Sequence, residues 1–288
     1  MISSLKSSLF RFFRTKLFLL VLGFSVVMGM AMVNNTCSDL SMYFFARPRY
    51  FDSSFVVSCI RKLVFVIPFG SAVFCTMFTG SDISFRSINN KIATGTRRIS
   101  IFFADAVTAS LATIMSILGA VIVIYVFAKT VPVKESVKIN SVMVESLFKV
   151  TVICVAFVIL FTVFQYLLCN KLLAVMLSFV LLIVILSSTS IIDDLLQRPY
   201  RYSYTNEETG ETLWETNPGY VGGNARKALV LAKEVNPYYG AMTDDPEGSK
   251  AVMAAGASIV IFTAAGFVVI PFNFQLSLHL ERGTHHAY

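Results

Sequence analysis

Two polar side chains, Asp105 and Gln165, stand inside otherwise apolar runs. A charge inside hydrocarbon costs about 2.5–3.5 kcal/mol on insertion scales, so such a residue needs a partner or a task. Asp105 follows Arg97 and Arg98 by about two helical turns. It is either a polar spot in a translocation path or subunit interface, or a headgroup-level acid paired with Arg97, Arg98 or Arg61. Gln165 suits a helix-to-helix hydrogen bond. Catalytic chemistry has little else to use. His279, His285 and His286 fall in the last ten residues, with no clustered carboxylates or cysteines to complete a metal site. No nucleophile elbow, zinc-protease motif, dinucleotide fingerprint or intramembrane carboxylate dyad occurs. Gly219-Tyr220-Val221-Gly222-Gly223 lacks the Lys and hydroxyl of a phosphate loop. No catalytic residue, metal or cofactor is therefore expected on this chain, and any ATP that drives it is bound elsewhere.

The five cysteines, Cys37, Cys59, Cys75, Cys154 and Cys169, form no C-x-x-C pair. They read as small apolar packing residues. Cys37 and Cys59 could share one side of a membrane, where a disulfide is conceivable.

The elements that position these residues are dictated by composition. Of 288 residues, 56% are apolar and 14% charged, with 26 phenylalanines. Soluble domains average about 45–50% and about 25%. This is the profile of an integral membrane protein, expected to be all-α. Spanning a hydrocarbon core of about 30 Å takes roughly 20 apolar residues. Six candidate spans run over about 17–33, 55–79, 99–128, 150–168, 172–192 and 251–272. Pro68 and Gly70 are expected to bend the second. Asn170-Lys171 leaves so little chain between the fourth and fifth that they must be antiparallel neighbours.

Residues 1–16 mix Lys6, Arg11, Arg14 and Lys16 with Leu5, Leu9, Phe10, Phe12 and Phe13, as an amphipathic helix in the membrane interface would. A secretory signal peptide is the rival reading. Residues 17–192 hold five spans, 251–273 the sixth, and 274–288 a tail. The net charge of +7 is uneven: residues 193–250 carry ten acids and six bases, a net of −4, leaving +11 on the rest. That excess suits basic flanks on anionic lipid rather than nucleic acid, because no long basic run occurs. Six spans put both termini on one side. Ten basic residues on that side against eight in the short loops of the other, with a basic N-terminus, slightly favour the cytoplasm for the termini and 80–98, with 193–250 outside. The 193–250 segment reads as a small extracytoplasmic lobe. Tyr200, Tyr202 and Tyr204 alternate like a strand, and 225–235 reads as a helix closed by Asn236-Pro237. Trp214, its single Trp, is expected in a core or as an interfacial anchor.

The connector between the second and third spans holds most information. Phe85, Ile88 and Ile92 are spaced i, i+3 and i+7 on one face of a short helix. Arg86, Asn89, Asn90 and Lys91 take the remaining surface. Gly95 can end that helix in the left-handed conformation, and Thr96 can cap the next. Arg97 and Arg98 mark the headgroup level. Such a helix could either transmit a push from a partner or lie on lipid.

The run Ser87-Ile88-Asn89-Asn90-Lys91-Ile92-Ala93-Thr94-Gly95-Thr96-Arg97-Arg98-Ile99, with Phe102, resembles the cytoplasmic connector of type-two ABC exporter permeases. In that family it reads like G-T-I-R-N-K-I, two residues, then G-x-S-R. Asn90, Lys91, Gly95 and Arg97 match, while Arg86 and Asn89 stand where the family has Gly and Arg. Asn217-Pro218-Gly219-Tyr220-Val221-Gly222-Gly223 looks like an Asn-Pro-x-Tyr-x-Gly-Gly segment of Gram-positive members. The resemblance implies a permease subunit in a bacterial cytoplasmic membrane, with the same topology that the spans and basic residues favour. It would pair with a second copy or a related permease, its first and fifth spans facing the partner. A separate ATPase subunit would hold ATP-Mg and receive Phe85, Arg86, Ile88, Asn89, Asn90, Lys91, Ile92, Gly95, Arg97 and Arg98. Phe85, Ile88 and Ile92 would enter its groove, with Lys91 and Arg97 at the rim. Family cargoes are peptides, lipids, polysaccharides and small drugs, and the apolar spans suit a hydrophobic or amphipathic one. A competing reading is a non-transporting membrane scaffold or immunity protein acting through 193–250. An ion-coupled transporter would need paired ionisable residues near the midplane, and the spans offer almost none.

Overall fold

The computed structural model describes residues 2–43, 53–84, 87–130, 139–205, 212–242, 250 and 252–266. The elements in chain order are α1 (Ile2–Arg14), α2 (Lys16–Tyr43), α3 (Ser53–Ser84), α4 (Ser87–Ala93), α5 (Arg98–Thr130), α6 (Ser141–Leu168) and α7 (Lys171–Gln197). They continue with β1 (Arg201–Thr205), β2 (Thr212–Thr216), α8 (Gly223–Val235), α9 (Pro237–Met242) and α10 (Val252–Gly266). Five helices, α2, α3, α5, α6 and α7, are long and apolar enough to cross a membrane. The chain thus has the make-up of a multi-pass, all-α membrane protein. The sixth expected span falls on α10, which is apolar but described only from Val252 to Gly266; residues 267–272 lie outside the described residues. The fourth span begins earlier than the apolar run suggests, at Ser141, where Asn140 caps the helix by accepting from the Met143 amide at 2.9 Å.

Helix α3 lies at the centre, packed on α2, α5, α6 and α7, while α2 runs along α5. Cores in lipid cannot rely on water expulsion, so close backbone approach through small residues holds the helices together. Gly29 of α2 meets Ala120 and Val123 of α5: a Cβ there would lie 2.9 Å from the Ala120 carbonyl oxygen and 2.9 Å from the Val123 Cβ. Ser71 of α3 and Thr113 of α5 share a hydrogen bond at 3.0 Å. Replacing Gly29 with leucine should therefore push α2 from α5 and cost about 1–3 kcal/mol, the usual penalty of overpacking. Gly23 has nothing within 4 Å of the same construction, so Gly23→Leu is the control. Unfolding midpoints in mild detergent check this; equal midpoints for both variants would refute the close approach.

The tight α6–α7 turn forms as expected. Cys169 adopts φ 48°, and Asn170 accepts from the amides of Leu172 and Leu173 at 3.0 and 3.3 Å. Cys37 and Cys59 are both free thiols, so the conceivable disulfide is not formed.

The lobe is two unequal parts. The expected strand and helix are β1 and α8, and β1 pairs antiparallel with β2, Arg201 opposite Thr216. Helices α8 and α9 are fastened to the bundle. Tyr238 is fully buried, its ring stacked on Phe65 of α3 at 5.3 Å and Phe157 of α6 at 5.9 Å. The Asn236 amide donates to Ser188 and Thr189 of α7 at 3.3 and 3.1 Å. Lys233 pairs with Asp193 at 2.6 Å. Partial burial disfavours the Lys233 charge, but Asp193 and Tyr239 outweigh it and raise its pKa. The side chains described on the hairpin strands are exposed. Trp214 on β2 is 67% exposed, which overturns its placement in a core.

Candidate functional site

The connector forms a short helix, α4, and ends as its spacing demands. Gly95 has φ 85°; its amide donates to the Ile92 carbonyl at 2.9 Å and the Thr96 amide to Lys91 at 3.1 Å. That is the paired bonding of a glycine-terminated helix. The first turn of α5 bonds to the Arg97 carbonyl, at 2.9 Å from Ser100 and 3.2 Å from Ile101, so Arg97 rather than Thr96 is the cap residue.

Phe85 and Arg86 lie outside the described residues, as does the side chain of Asn89. Asn90, Gly95 and Arg97 are exposed, and Lys91, Ile92 and Arg98 are half-buried. Ile88 is only 2% exposed. It packs with Ile101 and Phe102 of α5 and Val163 and Tyr166 of α6. A helix of seven residues cannot offer the same side chain to a partner and to its own bundle. The apolar face thus seats α4 on the spans, and the outward surface is Asn90, Ala93, Thr94, Gly95 and Arg97.

Behind α4 sits a cluster the sequence only partly announces. Asp82, at the end of α3, takes Lys91 of α4 at 2.8 Å on one oxygen and Arg11 of α1 on the other. The guanidinium carbon of Arg11 also lies 4.1 Å from the centre of the Phe78 ring. Asp105 is fully buried. It accepts from the Tyr166 hydroxyl at 2.7 Å and from Ser8 of α1 at 3.2 Å. None of Arg97, Arg98 or Arg61 supplies these bonds, which corrects the paired-arginine reading. Arg61 lies elsewhere, donating to Ser146 and to the Met242 carbonyl, both at 3.3 Å. Asp82, held by two cations, and Asp105, held by two hydroxyls, thus both tie α1 to the bundle, and the paired cations are what make the buried Asp82 charge tolerable.

Helix α1 is part of this arrangement. Its amphipathic helix forms as expected, but one face turns inward: Ser8 and Phe12 are buried, and Phe12 packs edge-on against Phe74 at 5.6 Å and Phe78 at 6.5 Å. Lys91 is likewise a tie between α4 and α3 rather than a rim charge. Gln165 donates to Thr76 of α3 at 2.9 Å, the helix-to-helix bond its placement implied.

Asp82 and Arg61 are 21 positions apart on α3, about 30 Å along a helix. The α1–α4 cluster and the α8–α9 attachment therefore occupy opposite ends of the bundle. Near the second end, a largely apolar cavity of about 270 Å³ opens between α6, α7, α9 and α10, lined by Phe157, Leu160, Ile185, Pro237 and Phe262 among others. The three histidines lie outside the described residues. No family model matches the chain, and no curated protein matches it.

Proposed function

We propose that the chain is the membrane permease subunit of an ATP-driven ABC exporter in a cell membrane, coupled to a separate ATPase through residues 80–98. The observation that supports this best is the seating of α4. Its outward surface is polar, while Ile88 and Lys91 tie it to α5, α6, α3 and, through Asp82, α1. A push on α4 is then a push on several helices at once. The separation of α4 from the α8–α9 attachment by the bundle's length supports residues 80–98 and 193–250 on opposite sides of the membrane, and the proposed ATPase coupling puts 80–98 on the cytoplasmic one. Pairing with a second copy or a related permease fits α2 and α7, the two least buried spanning helices. The apolar cavity suits a hydrophobic or amphipathic cargo.

The test is copurification from the host membrane in mild detergent. Wild type should bring down a chain with a phosphate-loop motif and ATPase activity. Ala93→Trp, on the outward surface, should cut its recovery about tenfold, equivalent to ~1.4 kcal/mol. Ile88→Asp should also lose the partner, but with loss of stability, because it buries an acid in the chain's own core. Undiminished recovery with Ala93→Trp, or no ATPase at all, sinks the reading.

A further inference from the structure

We infer that the β1–β2 hairpin is a membrane-interface anchor, its aromatic side chains and Arg201 lying among phospholipid headgroups beside the end of α7. The inference is independent of the permease reading and rests only on α7 crossing the bilayer.

The hairpin needs a cover. A two-stranded ribbon is marginal in water by itself. Every hairpin side chain the structure describes is exposed, and its extensive contacts are between its own strands. Tyr200, Tyr202 and Trp214 are large exposed aromatic residues, Tyr200 edge-on to Tyr220 at 5.3 Å and Tyr202 donating to Glu215 at 3.0 Å. Trp214 shares a ribbon face with Arg201 and Ser203, and Tyr202 stands on the other.

Depth decides what the cover is. The apolar run of α7 ends at Ile192, and Val180, Ile183, Val184 and Ile191 face outward along it. From Ile192 to Gln197 the helix climbs about 8 Å. The headgroup layer on each side of the hydrocarbon is about 5–8 Å thick. Gln197 therefore stands at the outer edge of the headgroup layer, and the hairpin springs from there, above the outward apolar face of α7. It is also held there. Arg226 donates to the Leu196 carbonyl at 2.9 Å, and Asn217 donates through its amide to Pro199 at 3.2 Å and through its backbone to Tyr200 at 3.0 Å. Trp and Tyr have the apolar body and polar tip that favour this layer. Arg201, exposed on β1, offers a guanidinium that can bind lipid phosphate through charge-assisted bonds, while Arg198 pairs with Asp194 at 2.6 Å.

Trp214 is the sole tryptophan, so its fluorescence reports this position alone. The full chain is placed in phosphatidylcholine nanodiscs, which leave both membrane faces open. With lipid brominated on the upper acyl carbons, Trp214 should lose most of its emission, and acrylamide should quench it weakly. Trp214→Phe supplies the blank. Strong acrylamide quenching without lipid quenching would put the hairpin in water and overturn the assignment. Resistance to both quenchers would mean a protein or peptide covers it, which overturns it equally.

Discussion

Replacing Asp82 with alanine should destabilise the protein by about 3 kcal/mol, the lower end of the cost of removing one partner from a buried charge group. The lower end applies because the Arg11 and Lys91 side chains keep 31% of their exposure, while Asp82 keeps 8%. The loss is large for a single carboxylate because it serves two cations. Without it, Arg11 and Lys91 face each other unscreened, and α1 and α4 both lose their tie to α3. Asp82→Asn should fall between, since it retains hydrogen-bonding capacity but no charge. Arg11→Ala and Lys91→Ala should each cost less than Asp82→Ala. Combining them should cost less than their sum if both act through Asp82. Detergent unfolding midpoints measure the energies. Trypsin offers a second readout: cleavage after Arg11 or Arg14 should quicken once α1 is released. Unchanged midpoints and unchanged cleavage would show that α1 and α4 are held by something else.

The second large effect is expected at Asp105. Tyr166→Phe deletes one hydroxyl and leaves a fully buried carboxyl with Ser8 as its only direct donor. An unsatisfied buried acceptor costs about 1–3 kcal/mol, more when charged. Asp105→Leu inverts the fault, leaving the Tyr166 hydroxyl without its acceptor. The double variant Asp105→Leu/Tyr166→Phe removes both polar partners together and should be less damaging than the two single losses added. Strict additivity would mean that the 2.7 Å contact contributes nothing of its own. Because Phe102 packs edge-on against Tyr166 at 5.5 Å and Ile88 sits in the same cluster, damage here should also loosen α4. On the permease reading proposed above, Tyr166→Phe should therefore lower recovery of the ATPase partner as well as stability.

Asp82 shows where reading along the chain falls short. It sits at the polar tail of an apolar run, nine positions before Lys91, and draws no notice beside Asp105. An acid just ahead of a basic amphipathic connector was the available signal. Its other partner, Arg11, is 71 positions away, and no local spacing connects the two.

The long helices were legible along the chain, because about 20 consecutive apolar residues leave the backbone no partner but itself in lipid. So were the α6–α7 turn through Asn170, the end of α4 through Gly95, and the strand that became β1 through alternating tyrosines, all effects within a few residues. Which side of α4 faces inward took the packed fold to settle, because an apolar stripe fits a partner's groove and its own bundle equally well. The same packing gave Asp105 hydroxyl partners from α1 and α6 in place of nearby arginines, turned Phe12 into the core, and set Tyr238 between α3 and α6. Those choices join residues tens of positions apart. They are made by packing and by the high cost of an unpaired charge away from water, neither of which has a period that can be read along the chain.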